Sequence, residues 1–244
     1  MDGIELAARF SYITNSLRFC GPEEASYQFV EYIKTKKNPE KIKESLKRFE
    51  GLYPYLSAIA EKHNKNFCDY DVVEAYWIGN ELLEAFKDDD LIIIIGKLMQ
   101  RGLPKSIGNE LIKNLPNGFV PHHNFNVFYV GVGRTTGSVQ TSLQNMDNCR
   151  TSWGKVVEVI NKHLIVETQQ LEKENGKYFL REANKTAVYL KEMLPEISKG
   201  NIVALHWGFA PLIIQNCQLD NLKKYTKLVL DVLNKSNSSK HDKI

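Results

Sequence analysis

The run His163-Leu164-Ile165-Val166-Glu167-Thr168-Gln169-Gln170-Leu171, then Glu174-Asn175-Gly176, then Lys177-Tyr178-Phe179-Leu180-Arg181 decides the class of the second half of the chain. Two stretches rich in β-formers flank an Asn-Gly pair. A tight hairpin needs positive φ at both central positions, and these two residues tolerate it best. Trp153 to Ile160 reads as a strand before this hairpin, and Asn201 to Leu205 as one after it, followed by the apolar run Phe209 to Ile214. Short strands in such close succession predict a small barrel, because closure removes exposed sheet edges. Leu219, Leu222, Tyr225, Val229 and Val232 or Leu233 then mark a closing amphipathic helix.

Upstream the apolar spacing changes from two to three and four. Leu6, Phe10, Ile13 and Leu17, then Phe29, Val30 and Ile33, then Ile42, Leu46 and Phe49 each line one face of a helix. Pro22-Glu23-Glu24 and Asn38-Pro39-Glu40 read as helix starts, with proline tolerated early and acids favoured near the positive end of the helix dipole. A further helix carries Val72 through Trp77 to Phe86, another starts at Asp88-Asp89-Asp90, and a last one carries Ile107, Leu111 and Leu115. Phe125 to Val130, ending at Gly131 and Gly133, reads as a buried strand, and Arg134 to Asn148 as a connector. The expected class is α+β: an all-helical N-terminal domain followed by a small β-barrel with a C-terminal helix, the barrel being OB-like as the family resemblance of residues 149–234 implies. Its segments are 1–117 helical, 118–148 strand and connector, 149–234 barrel with terminal helix, and 235–244 a flexible tail.

The 244 residues are 43% hydrophobic and 25% charged, enough to bury a core without disulfide staples. A net charge of +3 from 32 basic and 29 acidic residues gives no single-sign field, so neither nucleic acid nor a membrane surface is expected as a partner. Cys20, Cys68, Cys149 and Cys217 lie far apart with no C-x-x-C pair, as reduced thiols do. The start, Met1 to Glu5, has neither the basic nor the apolar region of a signal peptide, and a cytoplasmic location is expected.

Two stretches carry candidate chemistry: Cys149-Arg150-Thr151-Ser152-Trp153-Gly154-Lys155-Val156, and Gly200-Asn201-Ile202-Val203-Ala204-Leu205-His206-Trp207-Gly208-Phe209-Ala210. Together they resemble the HypC/HupF family of hydrogenase-maturation chaperones, in the spacing of Cys149 from Gly154-Lys155-Val156 and in the register of Gly200, Val203, His206, Gly208, Phe209 and Ala210. The resemblance covers about residues 149–234. The whole chain also resembles an uncharacterised prokaryotic family that combines a helical region with such a barrel. The first resemblance implies an accessory protein that binds an iron centre of the Fe(CN)2(CO) type. It would deliver that centre, with a maturation scaffold protein, to a hydrogenase large-subunit precursor. Cys149 and His206 would be the metal ligands, with no catalytic residue.

A thiolate is a soft donor and a neutral imidazole a borderline one, which suits such iron. Gly154 and Gly208 would let backbone approach the bound group. Of the adjacent His122 and His123, at most one faces a given metal, and His123 is the candidate third ligand. Cys20, before Gly21-Pro22, reads either as a reactive thiol at a helix start or as a capping residue. Two alternatives stay open: a metal-free interaction module that keeps only the barrel, and a thiol enzyme with Cys149 as nucleophile and His206 as base.

Overall fold

The computed structural model describes residues 1–241, with side chains described for 1–237. It is α+β: helices occupy the first part of the chain and a five-stranded sheet the second. The helices are α1 (Gly3–Ser16), α2 (Ala25–Thr35), α3 (Pro39–Lys47), α4 (Tyr53–His63), α5 (Tyr70–Trp77), α6 (Asp88–Met99) and α7 (Lys105–Lys113). Local chemistry sets their ends. The Asp2 carboxylate accepts from Glu5 N–H at 2.7 Å to open α1, Pro39 sits in the first turn of α3, and Asp90 accepts from Lys87 N–H at 2.8 Å to open α6. Two expected boundaries move. α2 starts at Ala25 rather than Pro22, because Gly21 and Glu24 both take positive φ and turn the chain before the helix. The helix through Phe86 stops at Trp77, and a 3-10 turn follows at Glu81–Ala85.

The expected strand at Phe125 to Val130 is helical instead. One turn, α8 (His123–Phe125), runs into a π-helical turn at Asn126–Gly131. Phe125 and Tyr129 stack at 5.5 Å across that turn, and Phe119 packs on both. The segment is largely buried, so its composition resembles that of a core strand while its contacts follow the four-residue helical spacing. The connector 134–148 likewise holds most of a helix, α9 (Leu143–Cys149), capped by the Ser142 hydroxyl accepting from Asn145 N–H at 3.2 Å.

The sheet comprises β1 (Ser152–Ile160), β2 (His163–Glu174), β3 (Lys177–Val188), β4 (Ile202–His206) and β5 (Phe209–Ile213). The strands close into a barrel in the order β1-β2-β3-β5-β4, sealed by one parallel pairing, Val188 with Phe209. The β2–β3 hairpin turns at Asn175 and Gly176, with φ of 50° and 78°, as the sequence predicts. Helix α10 (Asn216–His241) lays Leu222, Tyr225, Val229 and Leu233 on the core. The tail expected over 235–244 is helical as far as His241, and residues 242–244 lie outside those described. No described helix is long and apolar enough to cross a membrane.

The two halves share one core, in which Leu6, Phe10, Val73 and Ile94 of the helices are continuous with Val156, Val166 and Phe209 of the barrel. Helix α1 makes the junction. Arg9 Nη1 donates to the Met193 carbonyl at 2.6 Å, and Tyr12 packs on Phe209 at 5.2 Å between ring centres.

Candidate metal centre

Three side chains predicted from the sequence meet where helices and barrel join. Cys149 is the last residue of α9, His123 the first of α8, and His206 the last of β4. Their ligand atoms all lie within 4.8 Å of one another, and all three residues are buried. Cys149 Sγ is 3.8 Å from His123 Nε2 and 3.9 Å from His206 Nε2. A tetrahedral zinc-like ion with bonds of about 2.3 Å to sulfur and 2.0–2.1 Å to nitrogen would hold such a pair about 3.5–3.6 Å apart, a few tenths of an ångström closer than here.

Neighbouring residues hold these side chains in place. Asn124, next to His123, clasps the strand entry beside Cys149: its amide oxygen accepts from Thr151 N–H at 2.9 Å, and its amide nitrogen donates to Thr151 O at 3.2 Å. The His206 ring is oriented by α1. Its Nδ1 is 3.2 Å from the Phe10 carbonyl, which can only accept, so Nδ1 carries the proton and Nε2 presents its lone pair toward the sulfur. This is the outer-sphere arrangement usual for a histidine ligand. His123 Nδ1 is 2.9 Å from the Tyr76 hydroxyl, which itself lies 2.9 Å from the Gly51 carbonyl. When Tyr76 donates to Gly51, His123 Nδ1 donates to Tyr76 and Nε2 is free to ligate. When Tyr76 donates to the ring, Nε2 instead donates to the Cys149 carbonyl at 2.9 Å.

His122 takes no part. Its Nδ1 accepts from Asn124 N–H at 3.1 Å and its ring stacks on Tyr225, so the adjacent histidines do diverge.

Burial dominates the electrostatics. It pushes the Cys149 thiol up to about 12, against a smaller opposing effect of Trp207. It pulls His206 down to about 4 and His123 well below its ordinary 6.5, the latter helped by the neighbouring His206. Before any ion arrives, the cluster is therefore a neutral thiol with two neutral imidazoles. A thiolate–imidazolium pair, which a cysteine nucleophile would need, is opposed from both sides.

A cavity of about 80 Å³ opens onto the cluster. Its walls include Ser11 of α1, Tyr76 and Trp77 of α5, Gly133 and Val139 of the connector, and Trp207 between β4 and β5. Gly133 has φ of 78°, and a methyl group there would sit 2.0 Å from the Val139 carbonyl, so only glycine allows the connector to close this wall. Trp207 and Gly208 form the two-residue turn of the β4–β5 hairpin with φ of 52° and 66°. Tryptophan in that left-handed region costs about 1–3 kcal/mol, and its backbone N–H is anchored on the Asn148 carbonyl at 2.6 Å.

Gly154 and Gly208, expected to admit a bound group, lie away from the cavity. Gly208 has nothing within 4 Å of a would-be Cβ and serves the turn, while Gly154 packs against Val166 across the β1–β2 ladder. Cys20 does line the cavity, with its sulfur 3.3 Å from a Glu50 carboxylate oxygen, and burial together with that acid keeps it a thiol. Sequence reasoning missed Ser11, Tyr76, Trp77 and Trp207 as parts of the site. For Trp77 the available signal was an aromatic on a helix face, which reads equally well as core.

A family model described as a family of unknown function, DUF6390, matches residues 1–240. The chain belongs to DUF6390. No curated protein and no solved structure matches it. The DUF6390 match corrects the resemblance of residues 149–234 to the HypC/HupF family. A single family model runs without a break from the first helix through the barrel, so the local agreement around Cys149 and His206 is not membership of that family. Hydrogenase maturation, and a large-subunit precursor or scaffold protein as partners, lose their basis with it.

Proposed function

We propose that the protein binds one borderline transition-metal ion, such as iron(II) or zinc(II), through Cys149, His206 and His123. The observation that supports this is the convergence of three buried ligand atoms within 4.8 Å, contributed by three separate elements. Thiolate with imidazole suits iron, zinc and copper rather than magnesium or calcium. Three protein ligands beside a cavity leave a coordination position open, as in sites that exchange a ligand or react, whereas structural zinc sites are closed by four. The barrel is read as OB-like on its five strands and their 1-2-3-5-4 closure. In this reading the barrel supplies His206 and the helical half supplies the shell that encloses the ion.

Titration of metal-free protein with Fe(II) under anaerobic conditions, and separately with Zn(II), tests the proposal. One equivalent should bind, and binding should be lost in Cys149→Ala and His206→Ala variants whose circular dichroism remains native. Absence of uptake by the native protein, or equal uptake by both variants, overturns it. Binding must also displace the thiol proton, so affinity should rise about tenfold per pH unit above neutrality.

A further inference from the structure

The cavity contains hydrogen-bond donors with nothing to bind. Six buried side-chain polar atoms among the described residues lack a close partner, and three of them belong to residues lining this one cavity: Ser11 Oγ, Trp77 Nε1 and Trp207 Nε1, the last turned toward the Cys149 sulfur. Buried donors are nearly always satisfied, so three orphans around a single space mark a missing acceptor. Two are indole N–H groups, which can only donate. Trp207 is moreover kept in a left-handed turn position that Asn or Gly would occupy without strain, so the turn itself gives no reason for an indole there.

Charge points the same way. Among the described residues lining the cavity there is no Asp, Glu, Lys or Arg. A divalent ion held by one thiolate and two neutral imidazoles carries a net charge of one positive unit into a half-open space with no charged lining residue, Glu50 standing behind Cys20. An uncompensated buried charge is costly, and one monovalent anion cancels it. The space, about 80 Å³ where roughly 10–15 Å³ suffices to hold one water, accommodates the ion and a small ligand of several heavy atoms.

We infer that the open position of the metal centre takes a small monovalent anion, held at its outer end by the donors of Ser11, Trp77 and Trp207. This rests on the metal-binding reading above and specifies the class of ligand that centre accepts. Binding is simple coordination with hydrogen bonding, and no electron transfer is involved.

The test uses the full chain loaded with Co(II), whose thiolate and d–d absorption bands report metal occupancy separately from ligand exchange. Azide is the anionic probe, and acetonitrile is a neutral probe of similar length. Azide should shift the d–d bands saturably, and acetonitrile should bind at least about tenfold more weakly. Trp77→Phe and Trp207→Phe, which keep an aromatic ring but lose the N–H, should each weaken azide about tenfold while cobalt stoichiometry is unchanged. Ser11→Ala should act in the same direction. Stoichiometric cobalt uptake with no azide response, an equal response to acetonitrile, or unchanged azide affinity in all three variants overturns the inference and leaves the metal site standing. Failure to bind cobalt at all removes both.

Discussion

Two buried polar clusters lie side by side on the stretch Asp147 to Arg150, and they are completed in opposite ways. Asp147 accepts from Arg150 Nε at 3.0 Å, from Leu171 N–H at 2.9 Å and from Lys185, while Arg150 also donates to the Gln169 carbonyl. Apart from one guanidinium nitrogen, this cluster is saturated by the protein itself. Cys149, between them in sequence, meets two imidazole nitrogens at nearly 4 Å, the Trp207 side chain, and a cavity three of whose lining residues carry unpaired polar atoms. Saturation marks a cluster that holds the fold together, and unspent bonding capacity marks one that waits for something else. The first ties α9 to β2 and β3 and so fixes the position of the sulfur that the second uses.

The comparison is broken most forcefully at Asp147. Asp147→Ala leaves Arg150 buried without its counter-charge and should lower stability by about 3–5 kcal/mol, read as a fall in the urea midpoint. A loss of well under 1 kcal/mol would remove the contrast between the clusters.

Next comes acid. His206 titrates at about 4 in the folded protein against an ordinary 6.5, so between these values the unfolded chain takes up a proton and the folded one does not. The stability from its neutral form is complete above pH 6.5 and lost as pH falls toward 4, an effect of about 3 kcal/mol at roughly 1.4 kcal/mol per pKa unit. His123, depressed in the same direction, steepens the fall. Urea midpoints of the metal-free protein measured across this range check the slope, and His206→Gln should flatten it.

A smaller effect sharpens the second cluster alone. Tyr76→Phe removes the partner of His123 Nδ1 and should weaken metal binding about tenfold to a hundredfold. Competition with a chromophoric chelator measures it, and unchanged affinity would show that Tyr76 does not orient the ring. Smallest is Gly208→Ala, which forces a methyl group into the left-handed turn and should cost about 1–2 kcal/mol of thermal stability. Metal affinity should stay as it was, since nothing lies within 4 Å of that position.

Much of this was legible in the sequence. The Asn175-Gly176 hairpin, the apolar spacing of α1 and the Asp88 to Asp90 helix start gave the α+β outline because each is a local signal with a local cause. Cys149 and His206 stood out through their local agreement with the HypC/HupF motifs and His123 as one of an adjacent pair, and the structure brings the three together although the family likeness does not hold. The π-helical turn after Phe125 was not, since a segment buried on nearly all sides has no polar face to reveal its period. The donors of Ser11, Trp77 and Trp207 were invisible for another reason: their missing partners are a property of the assembled cavity, and no spacing encodes it.

The hydrogen bond from His206 to the Phe10 carbonyl spans 196 positions of chain. During synthesis the amino-terminal helix leaves the ribosome long before the ring it aligns has been translated, so a fully tuned ligand set exists only after the last strands have docked. Assembly of the Cys149, His123 and His206 cluster is accordingly a late event, and the completed cluster certifies that both ends of the polypeptide have found each other.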